Sequence, residues 1–338
     1  MSRFKRLTID DIAEMAGVSR TTASMVLNGH AERYRISMET VERVRAVAKK
    51  HNFTPSELAR VLRKKCSQSI GLVIPNTSNS NQGFLAQELE NFCLAQGYQL
   101  LIATSNEDAE REAVSIAQLA ARQVDGLIVM PCSSEPERYL PWVERLPLVF
   151  IDRYVPESGI PSVVTDARAS VVGLLGPVLA KGVDELVFFG GTPGLSPSCE
   201  RLDGYRQALS EGGLAEQEGW VFERDFRLET GYALMQEWYQ RHGRYPQALF
   251  TTAITLLEGV LAFIRQHHKM HEAPQYLLTF DDHPLLDCLP IPIDAIDQDC
   301  RMLASTSLEL VLALIRGDIL SERDLRVPAR LTHRRLVV

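Results

Sequence analysis

From Ser69 onward, apolar runs of strand length alternate with helical segments, and this alternation restricts the fold more than any other feature. The runs SIGLVIP, YQLLIAT, DGLIVM and PLVFID come first; DELVFFGG, WVFE, QALFTT and YLLTFDD follow. Between them lie GFLAQELENFCLAQG, an acidic helix through Ala121, ARASVVGLLGPVLAKG, a helix from about Cys199, one ending near His242, and LLEGVLAFIRQHH. Strands apolar along their whole length are buried on both faces, so the pattern is α/β, with parallel sheets covered by helices. More than ten parallel strands in one sheet would be unusual, so two sheets are expected. Ligands in such folds lie beyond the carboxyl ends of strands, which directs attention to the polar residues found there.

The N-terminal stretch has a different texture. In Leu7 to Asn28, LTIDDIAEMAGVSRTTASMVLN, Thr8 can cap a helix whose Ile12, Ala13 and Ala16 recur at helical spacing. Gly17 supplies the positive φ that ends it, and Ser19 caps a second helix that turns Ala23, Val26 and Leu27 inward. The other face of that helix shows Arg20, Thr21, Ser24 and Met25, the pattern of a helix-turn-helix with a recognition helix suited to a major groove. An ordinary αα-hairpin is the plainer alternative. Arg33, Tyr34 and Arg35 in the next loop suit phosphate contacts. SMETVERVRAVAKKHN makes a third helix with Val41, Val44, Val47 and Ala48 as its apolar stripe. The segment NFTPSELARVLRKK then offers a short basic helix that would order only against a partner helix or DNA.

Charge supports this division. Residues 1–65 carry 14 Lys and Arg against 7 Asp and Glu, whereas the remainder carries 22 against 36, so a head of +7 precedes a body of −14. Only the head is expected to meet a polyanion. Six scattered cysteines without a CxxC pair argue against a metal centre or a disulfide framework and fit a cytoplasmic protein. No apolar run reaches the roughly 20 residues of a membrane span. The opening MSRFKRLTIDD has no apolar stretch before Asp10, so no secretory signal is expected.

Helix-turn-helix, basic hinge and two-part α/β body, in that order, resemble the lac-repressor (LacI/GalR) family over essentially the whole chain. LTIDDIAEMAGVSRTTASMVLNG, NFTPSELARVLR and SIGLVIP carry the likeness. RQVDGLIV, FFGGTPGLSPSCERLDGY, ALFTTAITLLEGVL and TFDDHPLLDCL resemble its sucrose- and fructose-operon branch. The resemblance implies an all-α headpiece (1–54), a hinge (55–66) and an effector-binding and dimerisation body (67–338) of two periplasmic-binding-protein-like subdomains. These would comprise about 67–165 with 295–325, and about 166–294 with 326–338.

The same resemblance implies base contacts from Arg20, Thr21 and Met25, with Thr8, Ser19, Thr22, Asn28, Tyr34 and Arg35 near the DNA backbone. It places Leu62, beside Ala59, as a wedge in the minor groove. Met25 stands where some relatives carry a long polar residue, so an apolar contact to a thymine methyl is expected. In the body it implies effector contacts from Asp152, Arg153, Arg201, Asp281 and Gln298, with Ser196 and Ser198 in the loop before the Arg201 helix. Two arginines and two aspartates suit a hydroxyl-rich ligand, with or without one phosphate.

The expected protein is therefore a sugar-responsive repressor of a sucrose or fructose utilisation operon, released from a palindromic operator by fructose or a fructose phosphate. It would act as a homodimer, without cofactor, metal, membrane or enzymatic activity. A regulator that both activates and represses, and a sugar-binding protein without DNA function, are the alternatives. Duller readings exist for single residues. Asp152 and Asp281 could solvate turns, Arg201 could pair with Glu200 or Asp203, and His267, His268 and His271 could be solvated at a helix end. His283 beside two aspartates lacks a GxSxG nucleophile elbow, and P-loop and strand–GxGxxG–helix units are absent.

Overall fold

A computed structural model describes residues 7–53, 66–267 and 273–335. The hinge residues Ala59 and Leu62, and His268 and His271, lie outside the described residues. The chain divides into two compact units, Met1–Ser67 and Gln68–Val338.

The first unit holds helices Ile9–Ala16, Arg20–Leu27 and Met38–Lys50. Its first helix opens with a capping box: Thr8 Oγ1 accepts the Asp11 N–H, and the Asp11 carboxylate accepts the Thr8 N–H at 2.7 Å. Gly17, at φ 64°, ends this helix, and Ser19 caps the next by accepting the Thr22 N–H at 3.1 Å. Ile12, Ala13, Ala16, Ala23, Val26, Val41 and Val44 form its core. Arg43 ties the third helix to the first by donating from Nε to the Ala16 carbonyl at 2.9 Å.

The second unit contains two six-stranded sheets. One holds β1 (Ser69–Ile74), β2 (Gln99–Thr104), β3 (Gly126–Val129), β4 (Leu148–Ile151), β5 (Ser162–Thr165) and β11 (Asp324–Val327). Its order is β11-β5-β4-β3-β1-β2, all parallel. The other holds β6 (Leu186–Gly190), β7 (Val221–Glu223), β8 (Ala248–Thr251), β9 (Tyr276–Phe280), β10 (Ile293–Asp297) and β12 (Arg330–Thr332). Its order is β12-β10-β9-β8-β6-β7, with only β12 antiparallel. Among the described residues, no helix is long and apolar enough to cross a membrane.

The chain passes between the sheets three times: after β5, after β10 and after β11. The second passage begins beyond Asp297, past the expected 295, because β10 pairs with β9 through Ile296. The third follows Val327, past the expected 326, because that residue still pairs with Thr165. The helix Cys300–Arg316 packs on helix Ser80–Ala95 and on β3, β4 and β5, which returns it to the first sheet.

In the second half, helices Leu228–His242 and Ile254–Gln266 approach to backbone contact. A Cβ at Gly259 would sit 2.1 Å from the Leu228 carbonyl oxygen, and one at Gly231 would sit 2.1 Å from that of Leu256. No flexible side chain can yield there. Gly259→Ala should therefore destabilise the body by about 1–3 kcal/mol, the usual cost of overpacking. Thermal unfolding should show a fall of about 2–4 °C per kcal/mol; an unchanged midpoint would contradict the packing described.

Candidate functional site

In the first unit, Arg20 and Thr21 are exposed on the second helix, and Met25 is half-buried one turn further along. Arg20 Nε lies 3.5 Å from Asp10, but with side chains 72% and 58% exposed the pair holds the guanidinium weakly. Ser19 and Thr22 share a hydroxyl contact of 2.9 Å at the helix start. Asn28 closes the other end by donating to the Ser24 carbonyl at 2.7 Å. In the following loop Tyr34 is 51% exposed, with the Arg33 guanidinium 5.9 Å from its ring centre. Arg35 is exposed with a left-handed backbone, φ 52°. Donors, a soft apolar tip and cations thus lie on a short rigid bundle, as groove reading requires.

In the second unit the candidate residues gather where the strands of both sheets end. Asp152 follows β4 and Asp281 follows β9, and both adopt left-handed backbone, φ 63° and 74°. Aspartate tolerates that conformation better than most residues, and such outliers cluster at functional sites. Asp281 is 5% exposed. Its Oδ1 accepts from Asn81 Nδ2 at 2.5 Å and from Gln298 Nε2 at 2.7 Å. Gln298 Oε1 in turn accepts from Thr165 Oγ1 at 2.5 Å. Burial pushes the Asp281 carboxyl above the usual range; Arg201 opposes this and Asp152 adds to it.

Arg201 is 5% exposed and donates from Nη1 to the Thr252 carbonyl at 2.6 Å. Its guanidinium carbon stands 3.6 Å from the centre of the Phe280 ring, a close cation–π contact. Burial lowers its pKa, against the attraction of Asp281 and Asp152. Neither Glu200 nor Asp203 pairs with it. Glu200 instead takes Arg326 in a two-bond contact of 2.6 and 3.0 Å. Arg153, also buried, gives Nη1 and Nη2 to Glu107 at 2.8 and 2.6 Å, and Nη1 to the Pro131 carbonyl at 3.2 Å.

Ser196 and Ser198 are not in a loop. They occupy the first turn of helix Ser196–Glu211, which begins before the expected Cys199 because Pro197 suits a helix start, where its missing N–H is not needed. Ser196 Oγ accepts the Tyr154 N–H at 2.9 Å. Among the described residues, buried Ser198 Oγ, Thr252 Oγ1 and the Nε atoms of Arg201 and Arg153 have no partner. Unpaired buried polar atoms next to the small cavity lined by Asp152, Thr165, Ser196 and Arg201 are a place for a ligand with its own hydroxyls. His283 Nδ1 accepts the Leu285 N–H, and its ring stacks on Phe84, so it forms no catalytic triad. His267 stacks on Phe263.

Asn81, Glu107, Thr165 and Thr252 belong to this cluster and escaped the sequence reading. Thr165 ends β5, and Glu107 and Thr252 lie just beyond β2 and β8, so the strand-end rule would have reached those three; Asn81 lies in the first turn of helix Ser80–Ala95.

The profile of the lacI family of bacterial regulatory proteins matches residues 8–56, and that of the periplasmic binding protein-like domain matches residues 177–335. The chain belongs to the lacI family, and so is a DNA-binding transcription regulator rather than an enzyme. It is 41% identical to the sucrose operon repressor of Klebsiella pneumoniae, over 97% of this chain and 98% of that protein. The Cra transcriptional dual regulator of Pseudomonas putida, solved with fructose 1-phosphate, shares 31% identity at a TM-score of 0.72, covering 79% of this chain and 98% of its own. The lac repressor dimer bound to operator shares the fold at a TM-score of 0.81 and 21% identity, over 98% of both chains.

Asp281→Asn keeps an acceptor oxygen for Asn81 and Gln298 while removing a buried charge. The wild-type carboxyl holds its proton more tightly folded than unfolded, so wild-type stability falls as pH rises from the ordinary carboxylate value through the raised one. The variant lacks that loss. Its melting temperature relative to wild type should climb as pH rises above the ordinary carboxylate value of about 4; a flat or falling difference would contradict the burial described.

Proposed function

We propose that this regulator represses a sucrose or fructose utilisation operon and leaves a palindromic operator when fructose or a fructose phosphate enters the cleft. The observation that carries the reading is buried Arg201 and Asp281 with half-buried Asp152, beside the unpaired Ser198, Thr252 and Arg201 atoms. Carboxylates accept hydroxyl hydrogen bonds, a guanidinium donates two in parallel, and Gln298 with Asn81 fixes the Asp281 oxygen that faces them. The family relationship to a sucrose operon repressor supports the choice of sugar.

On DNA, a dimer sets two recognition helices in successive major grooves. Arg20, Thr21 and Met25 read bases, and Ser19, Thr22, Asn28, Thr8, Tyr34 and Arg35 hold phosphates. The hinge pair Ala59 and Leu62, outside the described residues, enters the minor groove at the operator centre. A regulator that both activates and represses is the second reading, favoured by the likeness to a dual regulator solved with a fructose phosphate.

Fluorescence anisotropy with the palindromic DNA upstream of the controlled genes tests the reading. Fructose-class ligands should weaken operator binding by about tenfold or more, within the usual range of such coupling. Arg201→Ala should bind the operator but ignore the sugar. Unchanged operator affinity across fructose and its phosphates would overturn the reading.

A further inference from the structure

Two buried arginines, Arg153 and Arg201, lie within electrostatic reach of Asp152, and the fold treats them differently. Arg153 is already spoken for: Glu107 occupies its Nη1 and Nη2, and the Pro131 carbonyl takes a further bond. The pair is secluded, with side chains 5% and 24% exposed. Glu107 is brought there by two consecutive left-handed residues, Asn106 at φ 56° and itself at φ 58°, before Asp108 caps the next helix. Nε is without a partner in both arginines, but Arg201, by contrast, has no carboxylate in ion-pair contact among the described residues.

The remaining charges of the cleft also sort into pairs. Arg326 is bound to Glu200 by two hydrogen bonds. Setting aside these two pairs leaves Arg201 beside Asp152 and Asp281, one guanidinium against two carboxyl groups. A phosphate monoester carries about −1.5 to −2 charge at pH 7 and seeks a guanidinium fork that is free. In this cleft it would meet two aspartates and one free fork, with the second fork closed by Glu107. A neutral sugar meets no such conflict, since its hydroxyls donate to Asp152 and to Asp281 and accept from Arg201.

We propose that Glu107 sets the ligand class of this cleft: by pairing with both Nη atoms of Arg153 it makes the site select an uncharged polyhydroxylated sugar over the corresponding phosphate ester. Glu107 acts through Arg153 and is a positioning residue. The proposal rests on the reading of the cleft as the effector site for a fructose-class ligand.

Titration calorimetry of the full-length protein with fructose and with fructose 1-phosphate tests it. Wild type should bind fructose about tenfold or more tightly than the ester. Glu107→Gln keeps the side-chain shape but frees the Arg153 charge, and should move the ratio about tenfold toward the ester. Glu107→Asp keeps the charge and should hold the preference for fructose. Wild type that binds the ester as tightly as fructose, or more tightly, overturns the proposal while leaving the effector-site reading intact. A Glu107→Gln ratio equal to that of wild type also overturns it, and the wild-type ratio decides even if that variant fails to fold. Binding of neither ligand by wild type would overturn the fructose reading and the proposal with it.

Discussion

The body turns on one buried carboxylate. Asp281 Oδ1 receives Asn81 from the start of the first helix after β1 and Gln298 from the end of β10, and Gln298 passes the chain of bonds on to Thr165 at the end of β5. Elements of both sheets are thereby joined at one oxygen. A buried acceptor left without its donors costs about 1–3 kcal/mol, so the arrangement is one the two halves either make together or lose together. The same charge makes Arg201 tolerable: a guanidinium this deep, bonded to one carbonyl and resting on Phe280, depends on the field of Asp281 and Asp152. The polar atoms that remain unpaired beside it are the opening a ligand would fill.

The head solves a different physical problem. Its three helices bury a core of small and β-branched residues and no aromatic side chain among the fully buried ones, which limits the stability that packing alone supplies. Local capping compensates: Thr8 with Asp11, Ser19 with Thr22, Gly17 at the turn, and Ser37 at the third helix. Such interactions are short-range in sequence, so the reading surface is rigid without a large core. The +7 charge of this head against the −14 of the body confines attraction for a polyanion to the unit that carries the recognition helix.

That contrast explains what was legible in the sequence. Helix starts and stops in the head are encoded within four residues of each other, and strands apolar on both faces announce themselves without partners. Strands β10, β11 and β12 do not: IDAID alternates with buried Asp294, while DLRV and RLT are partly exposed edge segments with no apolar run. Asp152, Arg153, Arg201, Asp281 and Gln298 stood out because family likeness marked them and the strand-end rule agreed. Glu107 and Asn81 did not: Glu107 follows a strand end, but the partners that give the two their roles lie 46 and 200 residues away. The helical placement of Ser196 and Ser198 was hidden by a proline that reads as a loop until its position at the first turn is seen.

The regulator binds both operator DNA and a sugar effector, and coupling between two ligands is reciprocal by thermodynamic necessity. Calorimetric titration of fructose into the protein alone and into its operator complex therefore tests the central claim most directly. The sugar should bind the operator complex more weakly, by the same factor by which the sugar weakens operator binding. Equal sugar affinity with and without operator would contradict the account.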